Sequence, residues 1–270
     1  MEEIIFLKNV CYSYYGKIPA LNDITLSIKR GELFAFIGQN GSGKSTLLNI
    51  ISGLIFPDSG SYSYKNNTID EKKLHDKNFN QQFRKSIGYI FQNPEVQLFC
   101  PTVLDELLFA PLQLNISQEE AIDRAYKVLA MLKIEYLKDR PVYMLSGGEK
   151  KKVAIASVLT MNPEVLLIDE PLSGLDPKTQ TFCTELFLEL NNAGKTIIFT
   201  THNLELIDHL QPRVSVISEN HTIEKTCPAA EILSDESFLV SINLIHEHLH
   251  RHDGEVHKHN HTHYIFHKHQ

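Results

Sequence analysis

Apolar positions along this chain fall into short runs and alternations rather than one long stripe. Ile4–Val10 and Ile24–Ile28 alternate or are rich in β-branched residues, so both are expected as strands of an early antiparallel sheet. Leu33–Ile37 is apolar throughout and reads as a short buried strand, followed at once by a glycine-rich loop. Ser45–Ser52 then reads as a helix that stops at Gly53. Ser86–Phe91 is a further strand, leading into Gln92-Asn93-Pro94. From about Asn93 to Ala156 the pattern turns helical. Ser117-Gln118-Glu119-Glu120 has the form of a capping box opening a helix through Leu132. Pro141 breaks the chain, and Gly147–Thr160 reads as a helix with Val153, Ile155 and Val158 inward. Beyond it Val165–Ile168, Thr196–Thr200 and Val214–Ile217 alternate with helices at Lys178–Leu190 and Leu204–Leu210. That order predicts a parallel, doubly wound sheet. There is no internal repeat.

At 270 residues the chain can bury a full core, as one large α/β domain or one domain with an insert. Its longest apolar runs fall far short of the ~20 residues that span a bilayer. Met1-Glu2-Glu3 opens acidic, with no basic region followed by an apolar one, so a cytoplasmic location is expected. The net charge of −7 argues against a nucleic-acid partner, and the only basic run is Lys150-Lys151-Lys152. Cys11, Cys100, Cys183 and Cys227 are scattered without a paired spacing, which predicts reduced, mostly buried thiols rather than disulfides or a zinc site.

Composition leaves the chemistry open; the loop after Ile37 does not. Gly38-Gln39-Asn40-Gly41-Ser42-Gly43-Lys44-Ser45-Thr46 lies between a strand and a helix, the context of a phosphate-binding loop. Its glycines let successive amides curl round phosphate oxygens, and the helix behind them turns its positive end the same way. Lys44 then reaches the β- and γ-phosphates of ATP, and Ser45 offers its hydroxyl to Mg²⁺. Asp169 and Glu170 end a buried strand: Asp169 is placed to hold Mg²⁺ and Glu170 to polarise the attacking water. Ser146 and the amides of Gly147 and Gly148, in Leu145-Ser146-Gly147-Gly148-Glu149, open a helix and form a second anion site.

The phosphate loop, the LSGGE loop about a hundred residues on, and the apolar run ending in Asp169-Glu170 together resemble the ATP-binding cassette family over residues 1 to about 235. The resemblance implies a P-loop NTPase (RecA-like) α/β core, an antiparallel β subdomain and an inserted helical signature subdomain at about 93–160. The cassette would span residues 1–242. It further implies that Tyr14 stacks on adenine, that Gln92 senses Mg²⁺ and the membrane partner, that Ser173-Gly174-Leu175-Asp176 is a D-loop, and that His202 contacts the γ-phosphate. In the family each signature loop covers the ATP of a second subunit, so a head-to-tail pair of this chain is expected. Glu149-Lys150-Lys151-Lys152 departs from the more usual Gln-Arg after the signature, with no phosphate contact changed.

Two further segments narrow the group. Phe91–Phe99, with Glu95 after Asn93-Pro94, and Thr102–Phe109 resemble the energy-coupling-factor importers of vitamins and transition metals. That resemblance implies a membrane scaffold docking near Gln92, a cargo-binding membrane subunit, and a peripheral position on the cytoplasmic face. The segment 243–270 is low-complexity, is expected to be a poorly ordered tail without metal, and holds ten of the fourteen histidines: His246, His248, His250, His252, His257, His259, His261, His263, His267 and His269. Spacing of two puts imidazoles on one side of an extended chain, and neutral imidazole suits Ni²⁺, Co²⁺, Cu²⁺ and Zn²⁺ better than Mg²⁺ or Ca²⁺. The segment His246–His252 also resembles the ends of cobalt- and nickel-type cassettes. The resulting expectation is the ATP-hydrolysing subunit of a nickel or cobalt importer. The alternatives are the same role in a vitamin importer, or a soluble cassette ATPase outside transport.

Overall fold

The computed structural model describes residues 2–252 and 255–261, with side chains through residue 245. The chain opens with β1 (Glu3–Tyr14), β2 (Ile18–Lys29) and β3 (Leu33–Ile37), then α1 (Lys44–Ile51), β4 (Ser59–Tyr64) and β5 (Asn67–Thr68). Two short helices, α2 (Glu71–His75) and α3 (Lys77–Ser86), lead to β6 (Ile87–Ile90). A helical block follows: α4 (Val103–Gln113), α5 (Gln118–Leu132) and α6 (Gly147–Leu159). The chain then alternates through β7 (Val165–Ile168), α7 (Pro177–Asn192), β8 (Thr196–Thr201), α8 (Leu204–Leu210) and β9 (Arg213–Ile217). It ends with β10 (Ile223–Pro228), α9 (Ala229–Ser234), α10 (Glu236–Ser241), β11 (His246–His252) and β12 (Glu255–His261).

The central sheet has the order β10-β9-β3-β8-β7-β6, parallel except for β10 against β9. Its strands are apolar at nearly every position because both faces are covered. Phe34 and Phe36 of β3 join one core with α1 residues Leu47, Leu48, Ile50 and Ile51; Ala35 and Ile37 face another with Val153, Ile155 and Ala156 of α6. The first of those cores is closed by a second, antiparallel sheet of order β2-β1-β4-β5, which contributes Ile5, Leu7, Ile24 and Ile28. The doubly wound sheet and the early antiparallel sheet are the two the hydrophobic pattern predicts.

β1 outruns its expected span of Ile4–Val10 because it pairs on both sides, with β2 and β4. Register shifts on either side of Val10, and Asn9 at φ +48°, break the alternation by which the rest of the strand would be recognised. At the start of α5 only half of the expected capping box forms. Ser117 Oγ accepts from Glu120 N at 3.2 Å, but the Glu120 carboxylate turns to Arg124. The segment read as a poorly ordered tail contains a two-stranded antiparallel ribbon, β11 with β12. Cys183 and Cys227 are buried and Cys11 and Cys100 half-buried; all four are free thiols, and burial pushes Cys183 up to about 11. No helix among the described residues is long and apolar enough to cross a membrane.

Candidate nucleotide site

The loop between β3 and α1 has room only for a particular backbone. Gly38 and Gly43 adopt φ +150° and +109°, and a Cβ would lie 2.3 Å from the Ile217 carbonyl oxygen in one case and 2.1 Å from that of Ala20 in the other. Glycine is therefore required twice, and the loop wraps close against β9 and β2. Lys44, at the start of α1, folds back and donates from Nζ to the carbonyls of Gly38 and Gln39, both at 2.8 Å. Burial lowers its pKa, partly offset by Glu170 and Asp169. Tyr14 is placed beside the same helix end, its hydroxyl 3.0 Å from Thr46 Oγ1 and its ring edge-on to Tyr12.

Parallel strands then bring in the acids. β7 and β8 lie in the sheet beside β3, so the residues just after β7 face the start of α1. Ser45 Oγ donates to Asp169 Oδ1 at 3.0 Å, and the same oxygen accepts from Thr200 Oγ1 at 2.5 Å. Thr200 Oγ1 in turn accepts from the Glu170 amide at 3.0 Å, and Glu170 Oε1 lies 3.0 Å from His202 Nδ1. One hydrogen-bonded chain thus runs Ser45–Asp169–Thr200–Glu170–His202. Asp169 and Glu170 are buried, whereas the His202 side chain is about half exposed. Ser45 and Asp169 form the hard-oxygen set a Mg²⁺ ion favours. Thr200 is the member that sequence reasoning missed. A threonine in a buried strand is also an ordinary β residue, and only the register of β8 against β7 marks it out.

The remaining residues lie on neighbouring loops. Gln92 donates from Nε2 to Ser173 Oγ at 3.4 Å, which joins the loop after β6 to the loop before α7. Asp176 caps α7, accepting from Thr179 N at 3.1 Å and Thr179 Oγ1 at 2.7 Å. Gly148 packs against that cap, with a Cβ there 2.9 Å from Thr179 Oγ1. Ser146 caps α6 in a complete capping box: the Glu149 carboxylate accepts from Ser146 N and Oγ, both at 2.8 Å. These bonds hold Glu149 below the usual carboxylate range.

The basic run read from the sequence is three separate contacts. Lys150 pairs with Glu95 at 2.5 Å, and the fully buried Lys151 donates to the Phe91 carbonyl at 3.2 Å. Lys152 lies over the Phe182 ring at 4.4 Å. Two of the three therefore tie the signature helix to the segment carrying Gln92. Beside them Val96, Phe99, Tyr143 and Met144 are strongly exposed around a groove lined by Leu98, Pro101, Val142 and the Glu95–Lys150 pair.

His263, His267 and His269 lie outside the described residues, as do the side chains of His246, His248, His250, His252, His257, His259 and His261. No cluster of His, Cys, Asp or Glu that could hold a metal ion occurs among the described side chains.

The ABC transporter family profile matches residues 21–173. The chain is 43% identical over 242 residues to the nickel import ATP-binding protein of Rhodobacter capsulatus, covering 88% of this chain and 94% of that one. It is 39% identical over 243 residues to an energy-coupling factor transporter ATP-binding protein of Methanococcus maripaludis, covering 89% and 85%. Among solved structures it superposes on cbiO1 from Clostridium perfringens, part of the ABC transporter complex cbiONQ. That match has a TM-score of 0.77 and 34% identity, covering 90% of this chain and 96% of that one.

Proposed function

The chain belongs to the ABC transporter family, and from that premise we propose that it is the cytoplasmic ATPase subunit driving a membrane importer of nickel or cobalt of the energy-coupling-factor group. The observation that carries the ATPase reading is the hydrogen-bonded chain from Ser45 to His202, which joins a phosphate loop to a buried pair of acids.

In this reading the amides of residues 38–43 and the Lys44 ammonium bind the ATP phosphates. Tyr14 supports adenine. Ser45 and Asp169, with Gln92, would hold Mg²⁺, which would neutralise negative charge on the ATP phosphates. Glu170 draws a proton from the attacking water as its oxygen bonds to the γ-phosphorus and the β–γ bridging P–O bond breaks. His202 holds the Glu170 carboxylate in place and faces the γ-phosphate.

Ser146, Gly147 and Gly148 sit at a different helix N-terminus from Lys44, and in the head-to-tail pair that the family resemblance implies they serve the ATP of a second copy, closed by the Asp176 loop. Closure moves α6 and, through Lys150 and Lys151, the Gln92 segment. The exposed Val96, Phe99, Tyr143 and Met144 around the neighbouring groove are where a membrane scaffold helix takes up that motion. Nickel or cobalt is favoured over a vitamin by the likeness to a nickel import subunit and by the histidine-rich tail, whose imidazoles bind Ni²⁺ or Co²⁺.

The test is reconstitution with the membrane partners in proteoliposomes, with Ni²⁺, Co²⁺ and a vitamin panel offered separately. Mg-ATP should drive accumulation of one of the two metals, and Glu170→Gln should abolish it. Vitamin accumulation without metal uptake would overturn the cargo and leave the ATPase.

A further inference from the structure

The turn between β9 and β10 packs against the phosphate loop. Ser218 N donates to Thr222 O and His221 N to Ser218 O, both at 3.0 Å, so residues 218–222 close tightly on themselves. Asn22 N of β2 donates to His221 O at 2.9 Å and ties this turn to the antiparallel sheet. Within that frame His221 has φ +62°, a left-handed backbone that glycine takes freely and a residue with a Cβ enters at a cost. The half-buried His221 side chain is turned onto the phosphate loop. Its Nδ1 lies 3.1 Å from the Ser42 carbonyl oxygen, which can only accept, so Nδ1 carries a proton and donates it.

A peptide unit is planar and trans, so the C=O of Ser42 and the N–H of Gly43 point in opposite directions. Fixing the Ser42 carbonyl against His221 therefore fixes where the Gly43 amide points, away from the turn. Gly43 is the N-cap of α1, where free amides and the helix dipole favour an anion. We propose that His221 is a positioning residue for ATP binding, which holds the Ser42–Gly43 peptide so that the Gly43 amide is already ordered when the phosphates arrive. This role rests on the amides of residues 38–43 binding the ATP phosphates. Gly41 and Gly43, at φ +85° and +109°, flank Ser42, so this peptide has little stiffness of its own and an outside anchor counts most there. An anchored loop pays less ordering entropy on binding. The backbone strain points the same way. Glycine would close the turn more easily, and the bonds to Asn22 and Ser218 use only main-chain atoms. What the imidazole adds is the bond to Ser42.

The test is steady-state hydrolysis of Mg-ATP by the full-length protein, with thermal unfolding of each variant in the absence of nucleotide. His221→Gly suits the backbone and removes the donor. His221→Asn also tolerates a left-handed backbone and returns an N–H the same number of bonds from Cα as Nδ1. Lys44→Ala reports on the phosphate loop itself. His221→Gly should raise KM for Mg-ATP about threefold or more with kcat within about twofold, the pattern of lost uniform binding, and should melt within a few degrees of the natural chain. His221→Asn should keep KM within about twofold of the natural value. An unchanged KM in His221→Gly would overturn the role, and so would an equal rise in His221→Asn. A rise in KM accompanied by a loss of about 10 °C or more in melting temperature would make the contact structural instead. If Lys44→Ala hydrolyses ATP as the natural chain does, the phosphate-loop reading itself falls. If Lys44→Ala is impaired and His221→Gly keeps its KM, only the role of His221 falls.

Discussion

Glu170 adopts φ +41°, a left-handed backbone that a side chain with a Cβ enters only at a cost, and its surroundings hold it there. Its amide is fixed by Thr200 and its carboxylate by His202. Glu170→Gln should lower kcat for ATP hydrolysis by about 10²–10⁴-fold while leaving ATP binding within a few-fold, measured by phosphate release and nucleotide binding on the same preparation. A variant with near-normal turnover would assign proton transfer elsewhere. Thr200→Val tests the less obvious member. It strands a buried amide, costs about 1–3 kcal/mol of stability, and leaves Asp169 with one donor fewer. Thermal unfolding and the Mg²⁺ dependence of hydrolysis should both worsen, and Thr200→Ser should restore both; an unchanged Mg²⁺ requirement in Thr200→Val would dissociate Thr200 from the ion. The phosphate loop stood out in the sequence because its spacing has few other uses; Asp169 and Glu170 took their meaning from its presence and His202 from the family resemblance, and the structure joins these residues in one hydrogen-bonded chain. Thr200 did not stand out, because its significance exists only once β7 and β8 are in register.

Among the elements, sequence and structure diverge most usefully at the starts of α5 and α6. The box expected at Ser117 forms only in half, since Glu120 has a better partner in Arg124. The complete box is at Ser146, where Glu149 takes the place of the more usual glutamine. A local motif sets which bonds are available, and neighbours across the fold decide which are made. The same holds for Lys150, Lys151 and Lys152, which read as one charged run and act as three contacts with different segments. The Glu149 pKa is lowered from its ordinary 4.5, so the carboxylate stabilises the fold fully above that value and loses the contribution as pH falls through the folded one. Glu149→Gln keeps a box-competent side chain but cannot titrate. The stability advantage of the natural chain over this variant should be constant from pH 7 to about 5 and shrink below, followed by thermal melts. A difference independent of pH to well below 4 would show that the charge is not what Glu149 contributes.

For the whole molecule, the two cores on either side of the central sheet hold the nucleotide loop at the C-terminal ends of β3 and β7 and leave an apolar face exposed beside Gln92. Phe99 is 65% exposed, so its replacement by aspartate should leave folding and ATP binding intact while cutting retention of the membrane partners at least tenfold. Affinity purification from membranes measures this, and full retention would place the docking surface elsewhere. The layered α/β fold was readable from periodicity because strands covered on both faces are continuously apolar. The two-stranded ribbon of β11 and β12 was not, because its evidence lies in the pairing of two arms rather than in either arm. The central claim is that ATP turnover here moves nickel or cobalt into the cell. Its most direct test is the nickel and cobalt content of cells, by elemental mass spectrometry, in natural and Glu170→Gln strains grown in scarce metal with other uptake routes deleted. A selective loss of one of the two metals in the variant is the predicted result; unchanged content of both would contradict the claim.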